Sequence, residues 1–150
     1  MNHSLLHQSS HTQLIRQLLF FDEERNGFLN AYFPGNSKHK RHAEELISRY
    51  CAVLEQLLSD FNDEELNYRV LIGSRLNLHD LEHGTSDSFT LVFPAHTDPL
   101  EGKISWLSPL GMQLLMAEAR QDYNLEVPSG ILRVRLDSIR FEGGEVERKS

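Results

Sequence analysis

Cysteine is almost missing from this sequence: Cys51 stands alone, so no intrachain disulfide can form. Its place in a helical apolar pattern marks it as a buried, unreactive thiol. Long apolar stretches are missing too, none approaching the roughly 18 residues that a membrane-spanning helix needs, and the mean hydropathy of −0.42 agrees. Met1 to Ser10 is polar and has no basic stretch ahead of an apolar core, so no signal peptide is expected and a cytoplasmic location is. There is no P-loop, no dinucleotide Gly-x-Gly-x-x-Gly and no Gly-x-Ser-x-Gly elbow, which removes the common phosphate-cradling and serine-nucleophile designs. Positive charge is also short, with 15 Lys and Arg against 22 Asp and Glu and a net charge of −7. Residues 1–66 carry 6 basic and 10 acidic groups and residues 67–150 carry 9 and 12. Such a surface repels phosphate backbones unless its cations are segregated into a patch, so direct sequence-specific nucleic-acid binding is not expected. A protein partner is.

What is present divides at about residue 66, and 150 residues suffice for two small domains. From Leu14 to Phe33, apolar residues recur at Leu14, Leu18, Phe21, Phe28 and Tyr32 with a break at Arg25, the spacing of an amphipathic helix. Phe33-Pro34-Gly35-Asn36-Ser37 ends it, because proline disfavours helical geometry in the residue before it and glycine and asparagine accept left-handed geometry. Ser37 is a candidate N-cap for a second helix over 38–61, where Ala43, Leu46, Tyr50, Val53 and Leu57 repeat at three and four. Two helices of similar length with a short connection fold back as an antiparallel hairpin. The acidic stretch Asn62 to Asn67 reads as a hinge.

After Tyr68 the period becomes strand-like. Arg69–Ile72, Arg75–Leu78, Ser88–Phe93 and Lys103–Trp106 are short, β-branched or alternating, and divided by glycine and proline. Ser108-Pro109 sets an N-cap before proline at the first helical position, and one helix is expected over Leu110–Ala119. Two closing strands, about Tyr123–Val127 and Ile131–Phe141, flank the turn signal Pro128-Ser129-Gly130. The fold class is therefore α+β: an N-terminal antiparallel helical hairpin over 1–66, then a β-sheet domain with one helix over 67–150.

The order strand, strand, strand, Ser108-Pro109-Leu110-Gly111 with Leu114 and Leu115 beyond it, then a Pro-Ser-Gly hairpin and a closing Val-Arg-Leu-Asp-Ser-Ile strand, resembles the C-terminal domain of the GreA/GreB transcription elongation factors and the related Rnk proteins. A helical hairpin directly before such a domain is similar to the Gre architecture. The resemblance implies an FKBP-like, antiparallel sheet domain and a coiled coil that enters the secondary channel of bacterial RNA polymerase. It also implies a place in transcription elongation, with the DNA-binding label such factors carry. The residues it marks for polymerase contact are Phe33, Pro34, Asn36 and Lys38 at the tip and Ser108, Pro109, Leu110 and Gly111 on the sheet domain. This chain departs from the family pattern where Met116 stands in place of a glycine and where Arg120-Gln121-Asp122 keeps only the aspartate of a Gly-Asp pair, so the helix is expected to run long.

Cleavage-stimulating relatives hold a second magnesium ion with acids at the hairpin tip, and Tyr32 to Ser37 has none. Asp22, Glu23 and Glu24 could serve only if the first helix ended near Asn26-Gly27. The expectation is thus a non-enzymatic binder without cofactor or metal, with transcript cleavage through that acidic cluster, an Rnk-like regulator of another protein, or a prolyl isomerase as alternatives. For an isomerase, Phe89, Phe93, Trp106 and Tyr123 would line a pocket; as alternating strand residues they are more simply core. His3, His7 and His11 share a helical spacing but sit in a polar terminus that is read as solvated, and His79, His83 and His96 as surface residues. His96, Asp98 and Ser108 lack a nucleophile context. Lys38-His39-Lys40-Arg41 reads as a solvated junction, unfavourable at a helix N-terminus. Arg133 and Arg135, alternating outward, either contact an acidic partner or guard an edge strand.

Overall fold

In the computed structural model, described for residues 3–147 and for residues 3–9 by backbone alone, the chain is α+β and divides into two compact units. One comprises the chain up to Phe61 with the segment from Val146; the other is Asn62–Glu145.

The first unit is the hairpin of α1 (His3–Tyr32) and α2 (Lys38–Ser59). α1 starts eleven positions before Leu14, well ahead of the apolar repeat that signals it, and it continues through Asn26 and Gly27 to Tyr32. Leu14, Phe21, Phe28 and Leu29 of α1 pack on Ala43, Leu46, Ile47, Tyr50, Leu54 and Leu57 of α2, all nearly or fully buried. Each buried Leu, Ile or Phe among these contributes ~1.5–3 kcal/mol. Phe20, Phe21 and Phe28 meet edge to face, and Phe21 meets Tyr50 in the same way. The break in the apolar pattern at Arg25 has a physical reason. Its guanidinium donates to Ser48 Oγ at 3.1 Å and Cys51 Sγ at 3.6 Å, a polar cross-link between the helices. Cys51 is half-buried rather than fully so. Burial pushes its thiol up from its ordinary pKa, with the Arg25 charge opposing that shift. The buried amide of Gln17 accepts a hydrogen bond from the Tyr50 hydroxyl, so this polar group inside the apolar seam is satisfied.

In the second unit, the segment read as a hinge is a single helical turn, α3 (Asp63–Leu66). Asn62 caps it by accepting from Glu65 N–H at 3.0 Å, and Leu66 is buried. The sheet is formed by β1 (Ser74–Asp80), β2 (Ser86–Val92), β3 (Lys103–Ser105), β4 (Asp122–Val127) and β5 (Gly130–Phe141), in the order β3-β2-β1-β5-β4. It is mixed, not wholly antiparallel: β3 runs parallel to β2, reached through two 3₁₀ turns, Pro94–His96 and Pro99–Glu101. Arg69–Ile72 forms no ladder strand. Tyr68 and Val70 exchange backbone hydrogen bonds with Met116, Ala117 and Ala119, and only Arg69 and Glu118 form a bridge. One face of the sheet carries Leu76, Leu78, Leu91, Leu125, Val134, Leu136 and Ile139 into the core with Trp106, Leu114 and Leu115.

The helix α4 (Pro109–Leu114) is shorter than expected. Met116, standing where the resemblance has glycine, adopts the left-handed geometry anyway, and so does Arg120, with φ of 71° and 63°. The pairing of Met116 N–H with Val70 O, and of Arg120 N–H with Leu136 O, holds each in that conformation. Among the described residues no helix is long and apolar enough to cross a membrane.

Candidate functional site

Two surfaces carry the residues singled out above. At the hairpin tip, Phe33 N–H closes α1 onto Leu29 O, Pro34 follows, and Gly35 takes φ 86° to turn the chain. Ser37 starts α2 as its N-cap, accepting from Lys40 N–H at 3.1 Å. Pro34, Asn36 and Lys38 are exposed and Phe33 is half-buried. Not all of the basic run is solvated: Lys40 Nζ donates to Asn30 Oδ1 on α1. Asp22 and Glu23 are exposed and Glu24 half-buried on the body of α1. Glu24 lies nine positions before Phe33, about 13 Å back along the helix. Near the tip, the Tyr32 hydroxyl donates to Glu147 at 3.0 Å. Burial first, then the hydrogen bond and charge of Glu147, raise this phenol from 10.0 to about 12.

The second surface is the turn that opens α4. Ser108 Oγ accepts from Gly111 N–H at 3.0 Å and donates to Ser105 O at 2.7 Å, locking the helix start to the end of β3. Pro109 is exposed, Leu110 half-buried, and Gly111 buried. A Cβ on Gly111 would stand 2.4 Å from Ser105 O and 2.9 Å from Trp106 Cα. Glycine is needed here because two backbones meet, not because the residue is presented outward. Gln113 then ties α4 to β4 through hydrogen bonds with Glu126 N–H and O at 2.8 and 2.9 Å.

Phe93 and Trp106 are packed in the core, while Phe89 and Tyr123 are half-buried, the Tyr123 hydroxyl accepting from Glu118 N–H at 2.7 Å. His83 Nδ1 lies 3.0 Å from Asp80 Oδ2, and His79 Nδ1 lies 3.2 Å from Ser86 Oγ. His11 stacks edge to face on Phe61; the side chains of His3 and His7 fall outside the described residues. Among the described residues, no group of three or more His, Cys, Asp or Glu could hold a metal ion. The two arginines of the closing strand do not guard an edge, since β5 lies between β1 and β4. Arg135 is held by Asp122 in a two-pronged pair at 2.9 and 3.4 Å. Sequence reasoning missed the Arg25 cross-link, whose only trace was the interrupted apolar repeat.

A helical hairpin followed by a mixed sheet with a Ser-Pro-Leu-Gly helix start defines a two-part α+β architecture, and sequence comparison identifies the family. The family described as transcription elongation factor GreA/GreB, C-terminal, matches residues 65–141. The chain belongs to the GreA/GreB family. It is similar to the transcription elongation factor GreA of Desulfovibrio desulfuricans, at 31% identity over 77 residues, 51% of this chain and 48% of that protein. GreA of Clostridioides difficile is 32% identical over 112 residues, 74% of this chain and 70% of the relative. Among solved structures, the prokaryotic GreA/GreB factor from Nitrosomonas europaea matches 59% of this chain and 77% of its own at 28% identity, with a TM-score of 0.45. The chain thus aligns with about half the length of the Desulfovibrio relative.

Proposed function

We propose that this protein is a Gre-like factor that binds bacterial RNA polymerase near its secondary channel and modulates transcription without strongly promoting transcript cleavage. Family membership supports the partner. The observation that carries the second half is the tip: Phe33 to Ser37 presents an aromatic ring, proline, glycine, asparagine and a serine cap, and no carboxylate of its own, while Glu147 nearby takes the Tyr32 hydroxyl at 3.0 Å. Stabilising a second metal ion at a scissile phosphate needs anionic ligands within coordination distance. Asp22, Glu23 and Glu24 sit more than two helical turns back along α1. In this reading Phe33, Pro34, Asn36 and Lys38 make the channel contacts, while Ser108, Pro109 and Leu110 dock the sheet domain on the polymerase surface. Gly111 contributes by letting that turn close.

The test has two arms. Size-exclusion co-migration with bacterial RNA polymerase core should show a complex, weakened by Pro109→Asp and by Phe33→Ala. A chain that elutes apart from the core overturns the binding half. Cleavage of backtracked complexes should stay near the polymerase's own rate. Strong stimulation that disappears when Asp22, Glu23 and Glu24 become alanine would instead establish the acidic-cluster alternative.

A further inference from the structure

The strand register brings cations together in a way the linear sequence does not display. Thr90 pairs with Lys103 across β2 and β3, and with Arg75 across β2 and β1; Arg75 in turn faces Arg140 across β1 and β5. Paired residues share a sheet face, so Lys103, Arg75 and Arg140 form one row on the face opposite the core. Three strand spacings make that row about 14 Å long. All three are exposed, and among the described residues no ion pair or hydrogen bond engages their side chains. Arg135 and Arg133 lie further along the same face of β5. Seven Lys and Arg lie between Asn62 and Glu145, and all but Arg69 and Arg120 are on this face. The segregation that net charge alone argues against is present.

Arg75 and Arg140 directly opposite one another repel, and a sheet gains nothing structural from that juxtaposition. Nor can they be guarding an edge, since β1 and β5 are both interior strands. We infer that this exposed cationic row docks an acidic polypeptide segment of a partner protein. The chemistry favours carboxylates over a nucleic acid on three counts. Arg135 already takes a carboxylate, Asp122, in fork geometry on this same face. The face offers no Phe, Tyr or Trp on which bases could stack. Further along this face of β5, beside Arg135 and Ile131, β4 adds the carboxylates Asp122 and Glu126, so a short acidic segment is matched by the row, whereas a long phosphate chain leaving it in that direction runs into like charge. The inference is independent of the polymerase reading above, since a different surface carries it.

The experiment measures anisotropy of a fluorescein-labelled oligo-glutamate peptide titrated with the full chain at low ionic strength, alongside a labelled oligo-uridylate of matched charge. The native chain should bind the peptide, and Arg75→Gln with Arg140→Gln should weaken it by about tenfold or more. Arg69→Gln with Arg120→Gln, the same change in net charge off the face, should leave the affinity within about twofold. Lys103→Gln alone should give a smaller loss and serves as a second variant should the double change disturb folding, which circular dichroism monitors. No binding by the native chain, or equal losses in both double variants, overturns the inference. Tighter binding of oligo-uridylate with the same residue dependence overturns the choice of partner.

Discussion

Gly111 lies so close to the carbonyl oxygen of Ser105 that a Cβ built on it would stand 2.4 Å from that oxygen. That oxygen and Trp106 Cα, at 2.9 Å, are both backbone atoms, so no side-chain rotation relieves the clash. Gly111→Ala should therefore destabilise the sheet domain by ~2–4 kcal/mol. Ser108→Ala, which removes the cap that Gly111 N–H uses, should cost ~1 kcal/mol. Urea unfolding followed by tryptophan emission reads both, because Trp106 is fully buried beside this turn.

Met116 and Arg120 hold left-handed backbone geometry without being glycine, which costs an L-residue about 1–2 kcal/mol. At Arg120, whose exposed guanidinium lies 5.9 Å from the Tyr68 ring, replacement by glycine relieves that strain against the loss of one exposed cation–π contact. Arg120→Gly should leave the unfolding midpoint unchanged or raise it. Arg120→Val, with a β-branched side chain in the same geometry, should lower stability by ~1 kcal/mol or more. Equal destabilisation by both would contradict the conformational argument.

Tyr32 should ionise near pH 12 instead of 10.0. Its folded-state pKa is raised, so its contribution to stability is intact below its ordinary pKa and is lost as the pH rises through the folded one. Phenolate absorbance of the native protein against Tyr32→Phe isolates this group. Glu147→Gln should bring its midpoint down but leave it above 10.0, because burial is the larger cause.

Asp80 is pulled the other way. The backbone N–H of His83, then the His83 side chain and the N–H of Glu82, hold its carboxyl below the usual value of 3.8. A depressed carboxylate contributes stability above its ordinary pKa and loses it as the pH falls through the folded value. Carboxyl carbon NMR should place its midpoint under 3.8. His83→Gln should raise that midpoint only part of the way, since the backbone donors remain.

Much of this was legible in the residues. The hairpin was readable because Leu46, Tyr50, Leu54 and Leu57 repeat at helical spacing and Ser37 announces its own helix, both local signals. The start of α4 was readable from Ser108 and Pro109 for the same reason. Its end was not, because the left-handed turns at Met116 and Arg120 are imposed by backbone partners on Val70 and Leu136, distant in sequence. Arg69–Ile72 has the composition of a strand, but the segment it meets, 116–119, allows only a bridge. The meaning of Arg133 and Arg135 depended on where β5 lies in the sheet, and strand order is a property of the whole domain. The cationic row needed the register of four strands. Composition could only show that it was not forbidden.

β5 is flanked on both sides, pairing with β4 through a two-residue turn and with β1 across a gap that joins Ser74 to Phe141. β1–β2 and β4–β5 are each closed by short loops, so both can form early as independent hairpins. Joining them is the step that must meet the entropy of a long loop. The inner ladder between β1 and β5 is therefore where the sheet domain becomes one cooperative unit, and its amides should be the last to exchange with solvent.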